Sequence, residues 1–503
     1  MSKTITVPID FYKQFEDVTN KLDTLIRENQ RMRYSHEDEI KKLRYELTKE
    51  LNDRQNELKL IIEEKNEIIQ KLLNEIDRLK NKNNKNSTNS SMPSSTDMFK
   101  PKKSGANLYN SRKKTTKKIG GQKGHKGYGL TREKVEKLIK ENKLETRNLY
   151  HQSNNKSKKD VIKYRLGIEI NAYVEKHIFK HVSNSKNKIP NEFYTDVTYD
   201  NSIKSLSIEL GVYNVISYNR LSDFFKVISK GLITISNGTL VNFLKEFSKK
   251  TTNTINNLKY NLLNEEIMYT DETSNNKWYI RNYSNPNTVV YMSYNRRGHK
   301  QIEVHDILTK YIGGLMHDHD TTMYKYGQSN YECLIHLGRY FEELIQNIPE
   351  ITWAKEMKKL LFETYYQRKE LISQNIHEFT TNQIQTIEQR YDELLLLAKT
   401  ENKNISSSFY KEKSIKLMKR CKKYKENHLA YIHNFNVPFD NNLSERDLRI
   451  IKIKSKISGG FRNETGAKTY CDAISIIKTA IKRKINPYET ISSIFNCKEL
   501  FAC

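Results

Sequence analysis

Three acidic side chains have the surroundings expected of metal ligands. Asp271 follows the apolar residues 267–269 and Asp318 follows residues 315–317, so both carboxylates are predicted at the carboxyl end of a strand, where α/β sheets bind ligands. Glu445 is predicted one turn into a helix preceded by capping residues, from which its side chain can point to the same edge. Carboxylates without His or Cys partners are hard oxygen ligands suited to Mg²⁺ or Mn²⁺. Two such ions, about 3.5 to 4 Å apart, can activate an attacking oxygen and stabilise a leaving oxygen at phosphorus.

Other acids keep this assignment open. The chain contains 60 Asp and Glu residues, so position alone does not single out these three. Asp320 competes directly with Asp318, because two acids two residues apart on a strand lie on the same face. A mixed metal set made of His305 with Asp306 and His317 with Asp318 is a further alternative.

The residues between the acids predict an RNase H-like α/β core. Four short strands are expected, at residues 267–269, 278–280, 289–292 and 315–317. A helical crossover is expected near residues 302–310, and the charged residues 340–433 are interpreted as an α-helical insertion. The helix of Glu445 is predicted to end at Gly459–Gly460, before a final amphipathic helix over residues 468–482.

The N-terminal residues predict one long helix that associates with a partner. Residues 12–82 contain no Pro or Gly, and their apolar residues have heptad spacing. The a positions are occupied by Ile62, Ile69 and Ile76, and the d positions by Leu58, Leu72 and Leu79. Lys65 interrupts the d row. The seam predicts a homo-oligomer through a coiled coil over residues 51–82, with a helix folded back on its own protein as the alternative.

The charge of the chain favours a polyanionic partner. Lys and Arg number 87 against 60 acids, a net charge of +27. Residues 81–97 are rich in Asn and Ser, and no acid occurs between Asp97 and Glu133. Side chains in that interval can displace counterions from a phosphate backbone. Those predicted to bind DNA are Lys113, Lys114, Lys117, Lys118, Lys123 and Lys126. A solvated basic linker is the alternative.

The intervening segments carry weaker signals. Residues 150–195 alternate apolar and polar side chains, which predicts a small β-rich module. Residues 203–263 have helical spacing with a break near Gly231, typical of a helical DNA-binding or connecting subdomain. The five cysteines are scattered, so we expect neither disulfides nor a cysteine-based zinc site. The chain lacks a secretory pattern and an apolar run long enough for a bilayer, so we expect a cytoplasmic, nucleoid-associated protein without membrane contact.

Seven stretches resemble, in order, the transposases of the insertion-sequence-66 family, which are DDE enzymes of the RNase H-like superfamily. They are NSSMPSSTD (89–97), IGGQKGHKG (119–127), YTDET (269–273), GGLMHDHDTTMYKYG (313–327), CLIHLGRYF (333–341), DNNLSERDLRIIKIKSKISGGF (440–461) and Asn486-Pro487. The resemblance implies an insertion-sequence transposase that uses two Mg²⁺ or Mn²⁺ ions for DNA cleavage and strand transfer. Its implied partners are the element's terminal inverted repeats, target DNA and possible small accessory proteins.

The resemblance also implies roles for individual residues. Asp271, Asp318 and Glu445 match the catalytic and metal-binding acids, and the family pattern favours Asp318 over Asp320. The residues expected to contact DNA phosphates are His336 and Arg339, in a CxxHxxR cluster, and Arg446, Arg449 and Lys452, on the helix of Glu445. Helix packing or surface pairing is the alternative for these five. Many relatives carry a cysteine-based zinc module, but residues 128–200 contain no cysteine, so zinc is not expected.

These expectations define a domain arrangement and two rival functions. The arrangement is residues 1–82 (coiled coil), 83–132 (basic linker), 133–200 (β-rich module), 201–264 (helical subdomain), 265–345 with 434–465 (catalytic core), 346–433 (insertion) and 466–503 (C-terminal helices). The rivals are a non-catalytic DNA-binding coiled-coil protein and a metal-dependent phosphohydrolase.

Overall fold

The computed structural model describes most of the chain from residue 195 onwards and parts of the chain before it. The described residues are 14–31 (without 20, 23, 29 and 30), 51–86, 89–90, 131–149, 162–179 (without 167 and 169), 193, 195–497 and 501, with only the backbone for 51–61. The six lysines predicted to bind DNA between residues 113 and 126 therefore lie outside the described residues. The chain divides into two compact units, residues 1–83 with 407–409, and residues 84–406 with 410–503.

Helix α1, Leu51–Asn84, belongs to the N-terminal unit except for its last residue. Residues 14–19 are also helical, and Lys82 Nζ donates a hydrogen bond to Gln14 Oε1 at 3.2 Å. In one continuous helix these two residues would be about 100 Å apart. The prediction of a single helix over residues 12–82 is therefore wrong, because the earlier helical residues are folded back beside the end of α1.

The segment before residue 200 differs from the expected β-rich module. Helix α2, Arg132–Lys140, begins after Thr131, whose hydroxyl accepts the backbone N–H of Lys134. The described residues between 162 and 179 form no strand, and Ile168 and Val174 are about nine-tenths exposed. Alternating side chains stabilise strands only when one face is covered. The apolar side chains of Ile168 and Val174 are exposed, so the alternating pattern does not produce a strand in these described residues.

Four helices confirm the predicted helical region that precedes the sheet. They are α3 Asn201–Ile208, α4 Tyr218–Ile228, α5 Asn237–Lys250 and α6 Thr252–Leu263. A π-helical turn, Glu209–Tyr213, continues α3. The predicted break follows α4 at Gly231, where φ is +88°, and Ser236 caps α5 by accepting the N–H of Thr239. Buried side chains of these helices belong to the same hydrophobic core as the sheet.

A mixed five-stranded sheet forms the centre of the second unit. Its strands are β1 Ile267–Asn275, β2 Trp278–Ser284, β3 Val289–Tyr294, β4 Gly314–His317 and β5 Ser329–Glu332. The spatial order is β3-β2-β1-β4-β5, with β1 to β3 antiparallel and with β4 and β5 parallel to β1. The four predicted strands are confirmed, but β5 was not predicted, and the crossover helix α7, His299–Glu303, begins earlier and is shorter than expected.

Strand β1 does not end at Asp271 as the sequence suggested. Its parallel pairing with β4 ends at Tyr269 and Met316, whereas its antiparallel pairing with β2 continues to Asn275. Two residues further along the same register, Asp271 is level with Asp318, which directly follows β4. The two carboxylates therefore reach the point where β1 and β4 separate, although only one of them follows a strand end.

Helices complete the second unit. They are α8 Leu334–Asn347, α9 Thr352–Ser373, α10 Thr381–Asn404, α11 Ser408–Lys423, α12 Lys425–His433, α13 Asn442–Ser458, α14 Glu464–Lys482 and α15 Pro487–Phe495. The helical character of residues 340–433 and the helix of Glu445 are confirmed. Helix α13 ends at Gly459, which adopts the left-handed conformation at φ +68°. Helix α14 covers β3, and Thr479 and Ser475 accept backbone N–H groups of that strand.

None of the helices in the described residues is both long enough and apolar enough to cross a membrane.

Candidate active site

A hydrogen-bonded bridge joins the strand of Asp271 to the helix of Glu445. The backbone N–H of Asp271 donates to Asn282 Oδ1 at 3.1 Å, and Ser444 Oγ donates to the same oxygen at 2.6 Å. Asn282 Nδ2 in turn donates to the carbonyl of Ser444 at 3.1 Å. Asn282 and Ser444 are fully buried, so this bridge is shielded from water. It fixes the first turn of α13, and therefore Glu445, beside β1.

The carboxylates of Asp318 and Glu445 meet around the buried imidazole of His336. His336 Nδ1 lies 3.1 Å from Asp318 Oδ1 and 3.6 Å from Glu445 Oε1. Asn441 donates through Nδ2 to the carbonyl of Thr270 at 2.9 Å and lies 3.5 Å from Asp318 Oδ1. Asp318 after β4, His336 on α8 and Glu445 at the start of α13 thus lie close together. They meet where β1 and β4 separate, beside Asp271.

The contacts of His336 define its tautomer. Arg339 Nη1 lies 2.9 Å from His336 Nε2, and a guanidinium nitrogen can only donate, so Nε2 accepts. The proton is then on Nδ1, which donates to Asp318. Both ring nitrogens are therefore engaged, and His336 and Arg339 together orient the acid. The structure places these two residues inside the site, where they hold a carboxylate.

The environment separates the pKa values of the acids. Burial, followed by the nearby Asp318 carboxylate, raises the pKa of Asp271 to about 7. Burial also raises the pKa of Glu445 above its usual value, with Asp318 adding to the effect. For Asp318 the opposing hydrogen bond from His336 outweighs burial and lowers the pKa. Burial therefore disfavours the charged forms of Asp271 and Glu445, whereas His336 favours the charged form of Asp318.

The donor atoms fit a divalent cation. Among the described residues, no hydrogen-bond donor reaches the buried oxygen Oε1 of Glu445. A buried carboxylate oxygen without a donor is costly unless a cation satisfies it. One ligand atom each from Asp318, Cys333, His336 and Glu445 lie within 4.8 Å of one another.

That group of four includes two residues that are poor ligands here and leaves out Asp271. Burial raises the pKa of the Cys333 thiol, and thiols bind metals as thiolates. His336 has no free ring nitrogen, as described above. We therefore assign the carboxylates of Asp271, Asp318 and Glu445 as the candidate ligands, and their catalytic role stays a prediction.

Asp320 is held away from this group by a buried arginine. Arg281, on β2, is 2% exposed, and its Nη2 lies 2.8 Å from Asp320 Oδ2 and 3.0 Å from Glu272 Oε2. Hydrogen bonds from Thr322 and Arg281 outweigh the effect of burial and lower the pKa of Asp320. Asp318 and Asp320 therefore have different partners, which supports the choice of Asp318.

Two of the three acids, Asp271 and Asp318, line a cavity of about 340 Å³. Its walls include Asp271, Asp318 and His336, together with Arg297 and the exposed ring of Tyr340. The remaining residues predicted to bind DNA, Arg446, Arg449 and Lys452, are exposed on α13. Four carboxylates and two arginines line this cavity, so it suits an anionic phosphodiester once divalent cations neutralise the acids.

The mixed His/Asp metal set receives no support. Asp306 forms an exposed ion pair with Lys310 at 2.9 Å. His317 contacts the carbonyl of Asp318 through Nδ1 and Asn330 Oδ1 through Nε2 at 3.1 Å, so neither ring nitrogen is available.

Sequence reasoning missed the residues that position the acids. Asn282 lies in a strand without any motif, and its role depends on the pairing of β2 with β1. Asn441 and Ser444 belong to the stretch DNNLSE, which drew attention only for Glu445. Buried polar residues within an otherwise helical or apolar segment are the signal that could have identified them.

The raised pKa of Asp271 gives a prediction for the metal-free protein. The pKa is about 7 when folded and close to 3.8 as the unperturbed value, so folding loses stability as the pH rises from about 4 to about 7. Asp271→Asn removes this loss and is expected to raise the free energy of unfolding by about 2 kcal/mol at pH 8, after a discount for partial exposure. Urea denaturation in EDTA at pH 5 and pH 8 measures the difference. A change in the free energy of unfolding that is the same at both pH values would contradict the raised pKa of Asp271.

The fold and the site define an α/β domain with a mixed sheet, many helices and a candidate metal-binding group of acids. The chain belongs to the IS66 family of transposases, because the family model described as "Transposase IS66 family" matches residues 197–469, more than half of its length. This confirms the resemblance found in the sequence. Residues 45–131 match a second model, a family of unknown function (DUF6444). The searches of curated proteins and of solved structures gave no significant match.

Proposed function

We propose that this protein is a DDE transposase that cleaves DNA at the ends of an insertion sequence and transfers the strand to target DNA. The proposal is supported by the carboxylates of Asp318 and Glu445, which meet around His336, and by the effect of both on the pKa of Asp271, in a chain of a transposase family. DNA is the partner that a transposase requires, and the net charge of +27 favours it. Action on chromosomal DNA implies a nucleoid-associated location.

The catalytic core is proposed to be RNase H-like, formed by residues 265–345 and 434–465. The strand order β3-β2-β1-β4-β5 supports this, since three antiparallel strands are followed by two strands parallel to the first. Residues 346–433 contain helices joined by loops and are proposed as an insertion between α8 and α13. The remaining segments are proposed to be residues 1–82, 83–132, 133–200, 201–264 and 466–503.

Each residue of the site has a proposed task. The carboxylates of Asp271, Asp318 and Glu445 would hold two Mg²⁺ or Mn²⁺ ions, which would supply polarisation of the attacking and leaving oxygens at phosphorus. Asn282 and Ser444 hold Glu445 close to β1. His336, fixed by Arg339, orients Asp318. Arg446 and Arg449, exposed one and four residues after Glu445, are placed to bind phosphates beside the cleaved bond.

The same carboxylates would serve both reaction steps. Hydrolysis of a phosphodiester frees a 3′-hydroxyl, which then attacks a phosphodiester of the target and releases a second 3′-hydroxyl. Because both steps replace one oxygen substituent on phosphorus by another, one rigid set of acids is sufficient. The buried bridge through Asn282 supplies this rigidity.

The test of the function uses a labelled DNA end with the purified full-length chain. Cleavage and joining that require Mg²⁺ would support the proposal. Binding without cleavage would favour the non-catalytic coiled-coil protein, and turnover of small phosphoesters would favour the phosphohydrolase. The flanking DNA of the gene should contain imperfect inverted repeats, which are the substrate for this assay.

The apolar face of α1 is proposed to associate two or more copies of the chain. Ile62, Ile69 and Ile76 repeat every seven residues and are 57%, 51% and 46% exposed. Ile69→Asp is expected to raise the dissociation constant of the oligomer at least about a hundredfold, because a buried unpaired charge is costly. Sedimentation equilibrium measures the change, and Glu67→Ala, an exposed change on the same helix, is the matched control. Wild-type chain that remains monomeric would contradict the proposed coiled coil.

A further inference from the structure

Glu332 is a buried acid near the site that the proposed chemistry does not use. It is the last residue of β5, and in the parallel pairing of β4 with β5 it lies opposite His317, one residue before Asp318. Its side chain is fully buried. Cationic and hydrogen-bonding partners outweigh the effect of burial and hold the pKa of Glu332 well below its usual range. The carboxylate is therefore an organised charge at the same sheet edge as Asp318.

Two of its partners come from the helical insertion. Arg420, on α11, donates to Glu332 Oε2 through Nε at 3.0 Å and through Nη2 at 2.5 Å. His428, on α12, places Nε2 3.2 Å from the same oxygen, and its Nδ1 lies 2.9 Å from the hydroxyl of Tyr391, on α10. A guanidinium held by one carboxylate oxygen through two N–H groups is strongly fixed in direction.

The other carboxylate oxygen faces the loop that carries Asp318. Tyr324 donates to Glu332 Oε1, and His319 Nδ1 lies 3.3 Å from that oxygen. His319 also contacts the Tyr324 hydroxyl at 3.2 Å, and the ring of Tyr424, at the start of α12, stacks on Tyr324 with centroids 4.4 Å apart. We call Glu332 with its neighbours Arg420, Tyr324 and His319 the clamp. His319 lies between Asp318 and Asp320, so the clamp contacts the loop next to both acids.

We infer that Glu332 is a positioning residue through which the helical insertion fixes the Asp318 loop for metal binding. This rests on the proposed function, because it assigns a task within that site. With one oxygen bound by Arg420 and the other by Tyr324, the carboxylate transmits the position of the insertion to the loop. The helical insertion then restricts the movement of the loop that carries the metal ligand Asp318.

A second buried acid provides the comparison that separates positioning from plain stability. Glu342, on α8, pairs with Lys358, on α9, at 2.6 Å, and both side chains are less than 10% exposed. This pair also joins the core to the insertion, but Glu342 contacts Lys358 and Gln346, which lie on α9 and α8 and not in the loop that carries Asp318. Loss of either carboxylate should destabilise the fold, whereas only loss of Glu332 should loosen the Asp318 loop.

The experiment is a Mn²⁺ titration of the full-length chain, followed by electron paramagnetic resonance, for Glu332→Gln, Glu342→Gln and Asp318→Asn. Outer residues that orient metal ligands typically change metal affinity about 10- to 100-fold. We expect Glu332→Gln to weaken Mn²⁺ binding about tenfold, Glu342→Gln to leave it within about twofold of wild type, and Asp318→Asn to weaken it most. Arg420→Lys, which keeps the charge but loses the paired N–H groups, should give an intermediate loss and replaces Glu332→Gln if that variant does not fold.

The outcomes distinguish this inference from the proposed function. Equal Mn²⁺ affinity in Glu332→Gln and Glu342→Gln, with a large loss in Asp318→Asn, would overturn the positioning role and leave the metal site intact. Unchanged affinity in Asp318→Asn would overturn the metal site and the positioning role together. Binding of a labelled DNA end should stay within about twofold of wild type in Glu332→Gln, because a residue that orients metal ligands contributes to the metal step.

Discussion

Asp271→Asn, Asp318→Asn and Glu445→Gln are each expected to lower Mg²⁺-dependent DNA cleavage at least about a thousandfold. A metal site of this kind supplies several kcal/mol of transition-state stabilisation, and about 4 kcal/mol corresponds to that factor. Each amide keeps the shape of the side chain but replaces an anionic oxygen by a neutral group. The measurement is the rate of cleavage and joining of a labelled element end.

The control for these variants is an acid that has no part in the cluster. Asp306 is exposed and pairs with Lys310 at 2.9 Å, so Asp306→Asn should keep cleavage within about twofold of wild type. Asp320→Asn tests the rival assignment of the second acid. Loss of activity in Asp320→Asn with full activity in Asp318→Asn would show that the wrong acid of the pair had been chosen.

Arg281→Ala is expected to lower the free energy of unfolding by about 3 kcal/mol, because it removes a buried cation that holds two acids. Arg281 lies 3.0 Å from Glu272 Oε2 and 2.8 Å from Asp320 Oδ2, and Glu272 is 11% exposed. Without the guanidinium, the carboxylate of Glu272 loses its buried partner. Urea denaturation at pH 7 measures the change.

Arg297→Ala is the matched control for the Arg281 prediction. Arg297 also contacts Glu272, at 2.6 Å, but its side chain is 67% exposed. An exposed ion pair typically contributes less than about 1 kcal/mol. Similar losses for the two variants would mean that burial does not govern the strength of this network.

The sequence predicted the elements whose side chains repeat. Strands β1 to β4 appear as short apolar runs, and the helices around residues 203–263 and 340–433 appear through their spacing. The acids Asp271, Asp318 and Glu445 were located through local motifs, because each stands beside a recognisable strand or helix start. The convergence of Asp318 and Glu445 around His336 agrees with that expectation.

Features that depend on distant pairing were not predicted. Strand β5 reads Ser-Asn-Tyr-Glu, which carries no apolar run, and it forms because β4 offers a parallel neighbour. The hydrogen bond between Asn282 and Ser444 joins residues that are 162 positions apart in the sequence. Glu332 and Arg420 are 88 positions apart. The extent of β1 beyond Asp271 follows from β2, which continues to pair after β4 has ended. These contacts form only when distant parts of the chain meet in the folded protein, so local sequence patterns do not predict them.

The most direct test of the metal site is anomalous diffraction at the manganese edge from crystals grown with Mn²⁺. We predict anomalous density beside the carboxyl end of β4, where β1 and β4 separate. It should lie within bonding distance of carboxylate oxygens from Asp271, Asp318 and Glu445. The buried oxygen Oε1 of Glu445, which accepts no hydrogen bond among the described residues, should be one of the ligands. Density bound by Cys333 and His336 without Asp271, or none at this edge, would contradict the account.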